Sequence, residues 1–252
     1  MPVNVFVSLP ALALAVVAAC ARAQGRAASV VPSIALHTEG ISTPDTIVYR
    51  RTITRSGVDS VAGTRTVTLR AAGGLLEVGQ RFPGGGGEIV DTAVANVGTL
   101  RAVAHRSHQP TRTMRFDFVG DVAQGLVTSR SAGDSIARVD TVHQALGGAI
   151  YDSNVIELVV ASLPLAPQFS AELPFFIYER GGRVQMQVAV RERAMLSLPV
   201  IGQRETWVVA VGVPGAPATV WVDTRTRAVL RVRYDIAARA MSFTDDRATP
   251  LR

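Results

Sequence analysis

His105 and His108, three residues apart, are the first side chains in this sequence that could do chemistry, as metal ligands or proton carriers. A strand places positions three apart on opposite faces, and no neighbouring acid or cysteine completes a ligand set, so both read as surface histidines and no metal is expected. His37 and His143 stand alone near turns. The run Gly84 to Gly87 lacks the Gly-Lys-Ser/Thr ending and the following helix of a phosphate cradle, and reads as a flexible hairpin loop. The carboxylate pair Asp245-Asp246 sits close to the C-terminus, where exposure to solvent gives little reason for a shifted pKa. No Gly-x-Ser-x-Gly elbow occurs. All 26 basic residues are arginine, which removes Schiff-base lysines, phosphate-loop lysines and lysine general bases. A noncatalytic protein without a cofactor is the expectation.

The balance of 26 basic against 20 acidic residues gives a net charge of +6 and raises nucleic acid or an anionic membrane as partner. The arginines, however, are spread through alternating stretches such as RTITR (51 to 55) and RERA (191 to 194), with acids between them. That dispersal describes a solvated sheet face rather than a nucleic-acid platform. The N-terminal stretch VNVFVSLPALALAVVAACARAQG ends in Ala21-Arg22-Ala23 before Gln24, the small-x-small pattern cut by a leader peptidase, so residues 1–23 read as a signal peptide. Val17-Ala18-Ala19-Cys20 also resembles a lipobox, with Cys20 as the lipidation candidate. A retained anchor is the third reading, marginal because its roughly 17 apolar residues are interrupted by Pro10. No arginine precedes the apolar run, which departs from the usual positive start of a leader. Export to the periplasm or outer membrane is expected, with membrane contact only through a lipid anchor. Cys20 is the single cysteine, so neither disulfides nor thiol chemistry serve the folded part.

The elements that would position any site follow from hydrophobic period. After a flexible segment, 24–42, a single β-rich domain is expected over 43–247, with 248–252 as a tail. Period-two alternation places strands at Thr46 to Thr54, Thr64 to Leu69, Leu75 to Phe82, Glu88 to Ala95, Leu100 to His105, Thr111 to Val119, Val122 to Arg130 and Ser135 to Val142. Further strands follow at Phe175 to Glu179, Arg183 to Arg193, Glu205 to Val213, Thr219 to Val222, Ala228 to Tyr234 and Ala240 to Phe243. Turn residues in nearly every gap suit an antiparallel meander. In TRTMRFDFV, Met114, Phe116 and Phe118 share the buried face, with Arg115 and Asp117 opposite; in RVQMQVAVR, Val184, Met186, Val188 and Val190 do the same. One segment breaks the pattern: Asn154 and Glu157 suit an N-cap pair, Pro164 a stop, and the apolar helix between them must be covered by the sheet. The fold class is therefore mainly β, a curved antiparallel sheet or incomplete barrel with one short apolar helix.

ATVWVDTRTRAVLRVRY (218 to 234) reads as a hairpin. With a five-residue loop from Asp223 to Arg227, Val222 faces Ala228, Val220 faces Leu230 and Ala218 faces Val232, while Trp221 lies diagonal to Arg231. A shorter loop moves Trp221 to the apolar side. Asp223 suits the turn because its carboxylate accepts from amides just ahead.

The run ETWVVAV (205 to 211), the stretch VWVDTRTRAVLRVRY (220 to 234) and AMSF (240 to 243) together resemble the C-terminal signature of an exported family of Gram-negative envelopes, domain of unknown function 3108. In that family a strand is followed by a Trp-x-Asp turn and an arginine-bearing strand. The resemblance implies a fold similar to the Lol lipoprotein carriers, whose incomplete barrel holds acyl chains under short helices, with 154–163 as lid or plug. It carries over no catalytic residues. The leading expectation is thus an exported protein binding a lipid or other hydrophobic molecule, with Met114, Phe116, Phe118, Met186, Val188 and Leu230 as candidate lining, although interiors usually pack full and the plainer reading of these residues is ordinary core. The alternative is an envelope scaffold or assembly factor that docks a protein partner through sheet edges or an arginine face bearing Trp221, Arg225, Arg227 and Arg231.

Overall fold

A computed structural model describes residues 34–251 except 40, 42, 85, 131–135, 179–180 and 214; the stretch expected to be a signal peptide, with Cys20, lies outside the described residues. The alternating segments form β1 (Asp45–Arg55), β2 (Val58–Ala72), β3 (Leu75–Gly84), β4 (Gly87–Asn96), β5 (Ala102–Gln109), β6 (Arg112–Val119), β7 (Val122–Ser129) and β8 (Arg138–Ala145). The second half supplies β9 (Tyr151–Asp152), β10 (Ser170–Ile177), β11 (Gly182–Leu198), β12 (Gly202–Val211), β13 (Ala218–Asp223), β14 (Val229–Ile236) and β15 (Met241–Arg247). Each strand foreseen from alternation is present, and the two-residue β9 is the addition, too short to show a period.

All 15 strands join one mostly antiparallel sheet, ordered β8-β7-β6-β5-β4-β3-β2-β1-β15-β14-β13-β12-β11-β10-β9. The first and last strands pair at its middle, from Tyr49 opposite Arg247 to Arg55 opposite Met241. The sheet is not closed, because its edges β8 and β9 do not pair; β9 is parallel to β10. Side chains and single backbone bonds hold the gap instead. Ala102 N–H donates to Ile150 O at 2.9 Å, and Phe116 from β6 packs with Phe176 and Tyr178 from β10 and beyond. Gly125 stands opposite Phe116, and any Cβ there would come within 2.2 Å of Arg115 O and 2.7 Å of the Phe116 ring, so only glycine lets that ring lie flat over β7.

The apolar segment forms a 3-10 turn, Ser153–Val155, running into α1 (Ile156–Ser162). Val155, Val159, Val160 and Leu163 are fully buried against the sheet, at roughly 1.5–3 kcal/mol each. Leu163 takes an extended ψ of 153° because the residue before a proline avoids helical backbone, which stops the helix where Pro164 foretold. Its start differs from expectation. Asp152, not Asn154, accepts the first free amide, from Asn154 N–H at 2.8 Å, and Glu157 turns away into the sheet. Part of the stretch expected to be flexible is tied down: Ile34, Leu36 and Ile41 pack on the main core, and His37 N–H donates to Ser162 O at 2.7 Å.

The β13–β14 hairpin is shifted by two residues from the expected register. Val220 faces Val232, Trp221 faces Arg231 directly, and a bulge brings Val229 opposite Val222. The two-residue shift leaves Trp221 and Arg231 sharing one side, but the bulge moves Leu230, expected opposite Val220, to that side as well and turns Val229 to the other. Asp223 behaves as its position suggested, accepting from Arg225 N–H at 2.9 Å and Thr226 N–H at 2.8 Å.

Candidate functional site

A cavity of about 490 Å³ opens between α1 and the β1–β3 and β14–β15 strands. Its inner wall is apolar, from Ile47, Val67, Leu69, Val78, Leu158 and Val229. Strand alternation explains the set: Ile47 and Tyr49 on β1 and Val67 and Leu69 on β2 point the same way. Polar groups complete the lining: His37 and Glu39 are exposed, Asp45 and Gln80 partly so, and Glu157 and Arg247 are buried.

Beneath the helix lies a network that charge counting from the sequence missed. Arg65, 3% exposed, grips Glu157 with both terminal nitrogens, at 2.7 and 2.8 Å. Arg51 grips Asp245 through Nε and Nη2, at 2.8 Å for both bonds. Arg65 Nε lies 3.0 Å from Asp245 Oδ2 but out of line for a hydrogen bond, so that link is electrostatic. Burial opposes the Arg65 charge, yet the two flanking carboxylates override it and raise its pKa. Burial first, and Glu157 second, push the Tyr49 and Tyr234 phenols well above their ordinary range, so both stay neutral. Asp245 is fully buried, which corrects the reading of Asp245-Asp246 as a solvated tail pair: β15 is an inner strand of the sheet, and alternate residues of it face inward. Asp246 points the other way and pairs with Arg231.

A second polar cluster lies in the gap between the sheet edges. Asp152, fully buried, accepts from Tyr178 Oη at 2.5 Å and stands 3.1 Å from His105 Nδ1. The His105 ring stacks on Tyr178 with centroids 3.8 Å apart. His105 is 1% exposed, so it is not the surface histidine its sequence neighbours suggested, whereas His108 on the opposite face is exposed. His105 Nε2, Asp91 Oδ1 and Asn154 Nδ2 are buried with no hydrogen-bond partner. Burial is the main cause of a raised Asp91 pKa, partly offset by Ser107 and by His105. A carboxylate-oriented histidine is half of a nucleophile-activating set, but one this deeply buried offers a substrate no approach. Among the described residues no group of three or more His, Cys, Asp or Glu is placed to hold a metal ion.

The six candidate lining residues fall in three separate packing clusters, and none lines the cavity. Met186 and Val188 belong to the main core, Met114 and Phe116 with Phe118 beside them to the seam cluster, and Leu230 to a third with Leu196 and Leu198. The bulge at Val222 is what sends Leu230 there while Val229 takes the cavity wall. Of the four docking candidates, Arg225 is exposed. Arg231 is held by Asp246 and lies over the Trp221 ring at 5.7 Å. Arg227 reaches back to α1, donating to Ala161 O at 3.0 Å and to Leu163 O, so it caps the helix C-terminus rather than facing outward. No helix among the described residues is long and apolar enough to cross a membrane.

Comparison with solved structures finds two partial similarities. One is a beta-barrel-like protein of domain of unknown function DUF1849 from Brucella abortus, 11% identical, with 81% of this chain and 95% of that one covered and a TM-score of 0.48. The other is a DUF1329 family protein from Desulfovibrio piger, 9% identical, covering 84% and 87%, with a TM-score of 0.25. Neither carries a function across, and a likeness to the Lol carriers is not shown by them. No curated protein matches. The family model described as "Protein of unknown function (DUF3108)" matches residues 46–244, from the second residue of β1 into β15, and the chain therefore belongs to the DUF3108 family.

Proposed function

We propose that this is an exported, noncatalytic envelope protein that holds a hydrophobic small molecule in the cavity under α1. One observation carries the reading: a cavity of about 490 Å³ with an apolar inner wall and polar groups placed round it, where a sheet interior would otherwise pack full. Its size falls in the ordinary range for small-molecule sites, roughly 300–1,000 Å³. The helix acts as a fixed roof, because Glu157 is bound to Arg65 and its C-terminus to Arg227.

The test is native mass spectrometry with organic extraction on protein recovered from a bacterial envelope, comparing the natural chain with Leu69→Trp, which fills the cavity from its wall. Solvent-released added mass on the natural chain, absent from a folded Leu69→Trp, is the expected result. Bare polypeptide in both cases overturns the reading. The same spectra report whether Cys20 carries a diacylglyceryl group or the chain begins at Gln24.

A second reading, docking of a protein partner, has one observation in its favour. Edge strand β8 pairs only with β7, and Val139 on it is 58% exposed, as is Ile136 beside it at 82%. Loss of a co-purifying envelope protein on Val139→Lys, with cavity contents unchanged, would establish it.

A further inference from the structure

Resting on that reading, we infer that the molecule held in the cavity is an amphiphile ending in an anionic group, a carboxylate or phosphate, seated against Arg247. One buried guanidinium lining the cavity is bonded only to carbonyl oxygens. Three guanidiniums lie in or beside this part of the interior, Arg51, Arg65 and Arg247; Asp245 and Glu157 pair with the first two, and among the described residues the other buried carboxylates, Asp91, Asp152 and Asp223, form no ion pair with an arginine. Arg51 takes Asp245 and Arg65 takes Glu157, each through two hydrogen bonds. Tyr49 and Tyr234 stay protonated and supply no negative charge. Arg247 is the one of these three without a carboxylate, and it lines the cavity together with Arg227, whose bonds hold the end of α1.

Arg247 is 7% exposed, and its bonds go to carbonyl oxygens, Thr249 O at 3.2 Å and Pro250 O at 3.3 Å. Among the described residues it forms no ion pair with a carboxylate, whereas the equally buried Arg65 touches two. A buried cation without a counter-charge is costly, and an incoming anion with oxygen acceptors in a plane matches a guanidinium in both charge and shape. The acids on the cavity's other side do not substitute. Glu39 is exposed and Asp45 partly so, and charges that face water are screened there. From Arg247 the wall continues through Ile47, Val67 and Leu69, which suits an alkyl chain behind the anionic group.

The experiment is isothermal titration of delipidated full-length protein with four probes: laurate, dodecanol, dodecyltrimethylammonium and inorganic phosphate. Laurate is expected to bind at least about tenfold more tightly than dodecanol, as a charge-assisted contact would give. Arg247→Met is expected to erase that preference while leaving dodecanol binding in place. Equal binding of laurate and dodecanol overturns the anionic headgroup and leaves the cavity reading standing. Preference for the ammonium overturns it too, and assigns the polar end to Glu39 and Asp45. Phosphate binding as tightly as laurate overturns the amphiphile in favour of a simple anion. If no long-chain probe binds, the cavity reading falls and this inference with it. The wild-type ratio of laurate to dodecanol decides the matter even where Arg247→Met does not fold.

Discussion

Beneath α1, two guanidiniums meet two carboxylates in paired, two-pronged contacts; at the seam between the sheet edges, Asp152 meets a histidine, a tyrosine and a backbone amide, with Asp91 close by and three buried polar atoms unmet. Both clusters tie the same short segment, residues 152–157, to the sheet. The first does so through an arginine that keeps its proton, since the flanking acids raise its pKa. The second includes Asp91, whose carboxyl burial pushes above its ordinary range. One end of the segment is thus held by paired charges and the other by a buried polar cluster beside a carboxyl whose pKa is raised.

Breaking the end held by paired charges should cost most. Arg65→Met leaves Glu157 buried without its cation and Asp245 with only Arg51, and is expected to lower unfolding free energy by about 3–5 kcal/mol in urea titrations. The double change Arg65→Met with Glu157→Leu should recover most of that loss; no recovery would mean that the pair is not what the stability depends on. At the seam, Asp152→Ala removes the acceptor of Tyr178 Oη and Asn154 N–H, with an expected loss of about 1–3 kcal/mol.

Asp91 sharpens the contrast through pH. Its folded pKa is raised by burial above the ordinary 3.8, so between those two values the folded state holds the proton that the unfolded state releases. Stability from this group is therefore full below about pH 4 and declines as pH climbs through the raised value. Asp91→Asn should flatten that decline in a series of unfolding curves, and an unchanged slope would remove Asp91 as its source. The smallest effect belongs to Arg225→Glu, on an exposed turn away from both clusters, where stability should stay within about 0.5 kcal/mol.

Strands and helix were legible because their signals are local: alternation in TRTMRFDFV, an apolar run closed by Pro164. The interior charges were legible in principle through phase. Arg65 is in step with Val67 and Leu69, and Arg51 with Ile47 and Tyr49, so alternation alone turns both inward; arginine read as a surface residue hid this. His105 had no such cue, because Ala102 to Ala104 before it show no alternation. The cavity was not legible at all. Whether an inward side chain meets a neighbour, as Phe116 does, or faces a void, as Leu69 does, depends on how the strands curve and where the Val222 bulge falls. Phe116 replaced by a charge would accordingly break the seam core rather than report on a ligand.

The strand order has a consequence for how the molecule is made. Arg51 and Asp245 are 194 positions apart, and the ladder that carries them joins the first strand to the last. Hairpins from β2 to β8 close locally and early, while β1 keeps one side open until nearly the whole chain has emerged. Until then Arg51 and Arg65 lack Asp245, so the centre of the sheet is the last part to become stable. A chain cut short before Met241 would leave that centre as an exposed edge, open to pairing with another unfinished copy.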